Sequence, residues 1–170
     1  DMLTRVVIGV DPTAGQTGDA CGIIVAARLR DGTIAVLADC SVEKASPARW
    51  AAAVADAAQR WRADRIVAEG NMGGEMVRSV LHAADPTLPV AMAHASRSKV
   101  ARAEPIALHY AQGRVRHLGS FARLEDEMCG LLAGGGYAGP GRSPDRADAL
   151  VWAVHDLLVR HEDGPAIRML

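Results

Sequence analysis

Four carboxylates in this sequence stand where acids can act together. Asp11 closes the apolar run RVVIGVD at residues 5–11, and Glu69 closes a second run, RIVAE, at 65–69. If the two runs are neighbouring parallel strands, both acids emerge at one sheet edge about 4.8 Å apart. Two anions that close repel unless a proton or a cation lies between them. Open α/β sheets bind ligands outside the carboxyl ends of their strands, where these groups would sit. Oxygen donors with no Cys or His nearby select a hard cation, Mg2+ or Mn2+, over zinc. A further acid is expected from another element, and SPDRADALVWA supplies Asp145 and Asp148 at i, i+3 on one face of a helix. Trp152, four residues beyond Asp148, continues that face into apolar territory. Each acid also has a structural reading: Asp11 as a strand-end turn residue, Glu69 as the partner of a surface arginine, Asp145 as a first-turn acid favoured by the helix dipole. Asp148 fits such a reading least, because its neighbours are apolar and an unpaired charge among them is costly.

Cations gather in HASRSKVARAEP, where Arg97, Lys99 and Arg102 lie near the start of a helix; Arg114 and Arg116 follow on a short strand, and only Glu104 opposes them. Such a cluster contacts phosphates from several directions, or forms a solvated helix face. Aromatic residues make up 4% of the chain, so base stacking and sequence readout are not expected. Asn71, Gly73 and Gly74 follow Glu69, and Gly15, Thr17 and Gly18 follow Asp11. Glycines there let backbone approach a phosphate, or only make a turn. Asp19, past that turn, faces either the site or solvent. The stretch AGGGYAGPGRS at 133–143 reads as a mobile loop. The six histidines show no metal-ligand spacing, and Cys21, Cys40 and Cys129 are odd in number and far apart, which suits reduced core residues.

The elements that must position these groups follow from the pattern. Residues 5–11, 22–29 and 33–39 are three β-rich runs, the last two joined through Asp31-Gly32, a hairpin signal. Ser46-Pro47 opens an alanine-rich helix, 65–69 is a buried parallel strand, 75–84 a helix, 89–93 a strand, 98–112 a helix whose start Pro105 leaves open, 114–118 a short strand and 121–132 a helix. Ser143-Pro144-Asp145 starts the last helix, which reaches about residue 161. The order describes an α/β domain whose sheet is antiparallel at the start and parallel later.

At 170 residues, 49% hydrophobic and 23% charged, the chain has the profile of one compact domain. No run approaches about 18 uncharged apolar residues, and no signal-peptide pattern opens it, so a membrane partner is not expected and the cytoplasm is. A net charge of −1 means that a nucleic-acid partner would have to meet locally concentrated basic charge. Asp1 precedes Met2, so the sequence is expected to be a piece of a longer protein.

The motifs GVDPTAGQTGDACGIIV, RIVAEGNMGGEMV, SRSKVARAEPIALHYAQGRV and SPDRADALVWAV, in that order, resemble the nuclease domain of phage large terminase subunits, enzymes that cut concatemeric viral DNA during packaging. The resemblance covers nearly the whole chain. It implies an RNase H-like fold of the RuvC/integrase type: a mixed five-stranded sheet, its first three strands antiparallel, with helices on both faces. The family's acidic triad, from the first strand, the fourth strand and the last helix, falls by position on Asp11, Glu69 and Asp148. These would be the catalytic and metal-binding residues, Asp11 bridging two Mg2+ or Mn2+ ions and Asp145 acting as an accessory ligand. One ion would activate water and the other stabilise the leaving 3′ oxygen, giving 5′-phosphate and 3′-hydroxyl ends. Lys99 and Arg102, with Arg97, Asn71 and Arg114, would hold the backbone of double-stranded DNA or screen charge at the metals. The resemblance further implies a nuclease domain at 1–161, a flexible tail at 162–170, a monomer in isolation, and action in the host cell cytoplasm. Its partners in the full-length protein would be an N-terminal ATPase domain, the small terminase subunit and the portal. No G-x-x-x-x-G-K-[ST] loop occurs, so the motor is outside these residues. Three other readings stay open: a nucleotide-binding actin-like domain, a DNA clamp that does not cut, and a Holliday-junction resolvase of the same fold.

Overall fold

The computed structural model describes residues 2–12, 20–70, 73–95, 98–131 and 136–159. The β-branched run at the start forms β1 (Leu3–Asp11), which pairs antiparallel with β2 (Ala20–Leu29), and β2 pairs antiparallel with β3 (Ile34–Asp39). The β2–β3 turn is the expected Asp-Gly type: Gly32 has φ 84°, and Asp31 Oδ1 accepts from Thr33 N at 2.8 Å. After β4 (Val42–Glu43), Ser46 caps α1 (Pro47–Trp61) by accepting from Arg49 N, with Pro47 at its first position. The chain continues through β5 (Arg65–Glu69), α2 (Gly74–Ala84), β6 (Val90–Ala93), α3 (Lys99–Ala111), β7 (Val115–His117), α4 (Ala122–Cys129) and α5 (Asp145–Val159). Ser98 caps α3 and the helix runs on through Pro105.

Strands lie in the order β6-β5-β1-β2-β3-β7, with β4 paired to β2. β5 is parallel to β1 and to β6, and β7 is parallel to β3. The sheet therefore has seven strands where the family resemblance implies five. β7 is the short strand expected at 114–118, here an edge beside β3, and β4, only two residues long, has no periodic pattern to betray it. The antiparallel first three strands and the helices on both faces are as expected.

Side-chain alternation divides the core. Val6, Ile8 and Val10 of β1 pack with Trp50, Val54 and Leu81 of α1 and α2 on one face. Val7 of β1, with Ile24 and Ala26 of β2 and Val67 of β5, meets Leu150, Val154 and Leu157 of α5, Ile106 of α3 and Leu124 of α4 on the other. Helix α5 lies closest to the strands at two glycines. A Cβ on Gly9 would stand 1.9 Å from the carbonyl oxygen of Ala149, and one on Gly22 would stand 2.0 Å from that of Asp145. Backbone rests on backbone there, because neither residue has a side chain.

Candidate active site

Strand parity carries Asp11 to the α5 face, since Val7, Gly9 and Asp11 alternate with Val6, Ile8 and Val10. Register then sets its neighbours. Val10 pairs with Ala68 of β5, so Asp11 and Glu69 are the next residues along, and Asp11 pairs with Gly22 across the antiparallel ladder. The first turn of α5 lies over Gly22 and the following turns, from Ala149 to Ala153, over Gly9, which brings Asp145 and Asp148 to the same sheet end. Helix α3 begins at that end too, with Lys99 and Arg102 in its first turn.

These groups form one charged cluster. Lys99 is ion-paired with Asp148 Oδ2, stands 3.9 Å from Asp11 Oδ2 and donates to Ser143 Oγ at 3.1 Å. Arg102 Nη1 is 3.8 Å from Glu69 Oε2, and its Nη2 is 3.9 Å from Asp148 Oδ1. Its guanidinium lies 4.5 Å over the ring of Trp152, whose indole N–H donates to Glu69 Oε2 at 3.3 Å. Asp145 Oδ2 accepts from Ala20 N at 3.1 Å, tying the start of α5 to the start of β2.

The electrostatics oppose ionisation of Asp11 and Asp148. Burial raises the Asp11 carboxyl well above the usual carboxylate range; Lys99 offsets part of that, while Asp148, Glu69 and Asp145 add to it. Burial likewise raises Asp148, with Lys99 and Arg102 pulling the other way. Burial works against the Lys99 ammonium, but Asp11 and Asp148 outweigh it and hold its pKa above the ordinary lysine value. Four carboxylates thus share one sheet end with two cations.

Among the described residues, no three His, Cys, Asp or Glu side chains stand close enough to hold a metal ion as they are. Lys99 and Arg102 lie between the acids. In chemistry the donor set fits a hard divalent cation: all donors are carboxylate oxygens, the negative charge is in excess, and the buried Asp148 Oδ2 has the Lys99 ammonium as its partner. The Lys99 side chain is 42% exposed, at the rim of the cluster.

The other sequence candidates divide. Asn71, Arg97 and Asp19, the loop glycines Gly15 and Gly18 with Thr17, residues 133–135 and the tail at 162–170 lie outside the described residues. Arg114 is not brought to the cluster. Its carbonyl accepts from Ile34 N at the start of β3, and because β7 runs parallel to β3 and β1, this is the sheet end opposite Asp11.

Two contributors escaped the sequence reading. Glu127 of α4 accepts from Arg146 N at 2.7 Å and Ala147 N at 3.2 Å, capping α5, and also binds Arg146 Nη1 at 2.8 Å. Arg146 in turn meets Asp39 at 3.2 Å and Glu43 at 2.9 Å. The second is the N–H of Trp152, read from sequence only as apolar surface. Partners 19 and 83 residues away leave no periodic trace.

The family model for the terminase RNaseH-like domain matches residues 8–157. No protein of curated function matches the chain in sequence. Among solved structures the chain is similar to the large terminase nuclease of thermophilic phage G20c with bound zinc, at 17% identity over 89% of this chain and 80% of that one, TM-score 0.66. That nuclease has also been solved with cobalt. The chain is similar to the large terminase of bacteriophage HK97 at 15% identity and TM-score 0.67, covering 89% of this chain and 39% of that one. It is similar as well to T. thermophilus RuvC in complex with a Holliday junction, at 19% identity and TM-score 0.55, over 92% and 96% of the two chains. At these identities the likeness is one of fold, and it agrees with a sheet of RNase H type. With the family model spanning nearly the whole of both core layers, the chain belongs to the terminase RNaseH-like domain family.

Proposed function

We infer that this chain is the nuclease domain of a large terminase and hydrolyses double-stranded DNA with bound divalent cations. The observation that supports the reading most is the gathering of Asp11, Glu69 and Asp148 at one sheet end, with Lys99 and Arg102 against them. Asp11, Glu69 and Asp148 are the residues that would hold two Mg2+ or Mn2+ ions, with Asp145 as an accessory. Such ions, when bound, lower the pKa of water and offset charge at the scissile phosphate. Lys99, half exposed at the rim, turns its ammonium from the acids to a phosphate oxygen. Arg102, whose side chain is 11% exposed, stays between Glu69, Asp148 and Trp152 and holds the two acids apart. The products carry 5′-phosphate and 3′-hydroxyl ends. The partners we propose in the full-length protein are an N-terminal ATPase domain, the small terminase subunit and the portal, in the host cell cytoplasm.

The test is cleavage of supercoiled plasmid. The domain is expected to nick and linearise it with Mg2+ or Mn2+, and EDTA to stop the reaction. Asp11→Asn and Asp148→Asn should each slow cutting more than about 100-fold, beyond what loss of a supporting hydrogen bond around a metal costs. Asp145→Asn should slow it less, because its amide oxygen can still accept from Ala20 N. Cutting by Asp11→Asn at the parent rate overturns the reading. The likeness to RuvC over 96% of that chain favours one alternative, a junction-resolving nuclease, for which a four-way junction would be cut in preference to linear duplex.

A further inference from the structure

Trp152 touches the candidate site in two ways. It stands one turn beyond Asp148 on α5, is 7% exposed, and directs its indole N–H to Glu69 Oε2 at 3.3 Å. Its ring face carries the Arg102 guanidinium at 4.5 Å, and Arg102 Nη1 approaches the same Glu69 oxygen at 3.8 Å. Both contacts go to Oε2.

A glutamate at a strand end has three side-chain torsions and, unsupported, samples many carboxylate orientations. An indole is a rigid donor with no acceptor, so it fixes a carboxylate in one sense only. The backbone under Trp152 is also fixed, since α5 sits directly on β1, where a Cβ at Gly9 would fall 2.9 Å from Ala153 N. One rigid helix thus bears an acid of the cluster and, four residues on, the donor that orients another acid from a different strand.

We propose that Trp152 is a positioning residue for Glu69: its N–H holds Oε2 and its ring holds Arg102, so that the other carboxylate oxygen of Glu69 is presented to a divalent cation. The inference rests on the reading of Glu69 as a metal ligand. Partners that orient metal-binding groups in this way typically alter metal affinity or activity about 10- to 100-fold when removed. Trp152→Phe removes the N–H while keeping an aromatic ring under Arg102.

The experiment is calorimetric titration of the domain with MnCl2, with thermal melting followed alongside. Trp152→Phe is expected to melt as a folded domain and to bind Mn2+ about tenfold more weakly than the parent. A folded variant that binds Mn2+ within twofold of the parent overturns the proposal. A second measurement uses the unaltered protein, because paramagnetic Mn2+ quenches a nearby indole. Saturating Mn2+ should quench part of the tryptophan emission, and emission unchanged at saturation overturns the proposal even if the variant fails to fold. Glu69→Gln separates the two levels: if it binds Mn2+ and cuts like the parent, Glu69 is not a ligand and the underlying reading fails. If Glu69→Gln loses both and Trp152→Phe loses neither, only the role of Trp152 fails.

Discussion

At the scale of single residues, the charges of Asp11 and Asp148 work against the fold that holds them. Burial raises the carboxyls of Asp11 and Asp148 above their ordinary values. An acid whose folded pKa exceeds its unfolded one contributes stability below the unfolded value and loses it as pH rises through the folded value. In EDTA the Asp11→Asn protein is therefore expected to gain in melting temperature over the parent as pH rises from the ordinary carboxylate range toward neutrality, by about 2 to 4 °C for each kcal/mol relieved. Scanning calorimetry of both proteins across pH checks this, and a difference that does not grow toward neutrality contradicts it. The acids were legible in sequence because each ends an apolar run or interrupts an apolar helix face. The groups that steady them were not: Trp152, Glu127 and Arg146 suit a core or a solvated helix face equally well until the fold brings distant partners to them.

At the scale of elements, α5 is the part on which the site depends. Its first turn is held by Glu127, which accepts from two of its backbone N–H groups, and by Arg146, which reaches Asp39 of β3 and Glu43 of β4. Its distance from the sheet is set by Gly9 and Gly22. Gly22→Ala would drive a methyl to 2.0 Å from the Asp145 carbonyl, so the helix must lift. We expect a loss of about 1–3 kcal/mol in urea unfolding, typical of overpacking, together with a fall in cleavage larger than any unfolded fraction explains, since Asp148 moves with the helix. Unchanged cleavage in a folded Gly22→Ala protein contradicts this. The helix start at Ser46-Pro47 was readable from capping chemistry, and the β2–β3 hairpin from Asp-Gly, whereas Pro105 left the start of α3 open until the Ser98 cap was seen. β4 was not readable, because pairing of two residues depends on β2 extending far enough to receive it.

At the scale of the whole molecule, the net charge of −1 and the placement of its cations limit how DNA is held. Lys99 is at the site and half exposed, Arg102 is buried against acids, and Arg114 is at the far end of the sheet. Each phosphate contact adds about 0.9 to the slope of log affinity against log salt. Lys99→Ala should reduce that slope by about 0.9 and Arg114→Ala should leave it unchanged, as read by anisotropy of a labelled duplex with Ca2+ held constant in place of Mg2+; the reverse order would relocate the DNA path. The mixed sheet order was legible in the alternation of strand and helix signals, whereas the position of Arg114 needed the direction of β7, which sequence does not carry. Every described acid and cation of the cluster lies on the face covered by α3 and α5, while α1 and α2 cover the opposite face with the apolar cluster of Trp50, Val54 and Leu81. That asymmetry makes the outer surface of α1 a natural handle: a fluorophore or tether at exposed Ala52 or Asp56 fastens the domain to glass with its cutting side turned toward free DNA.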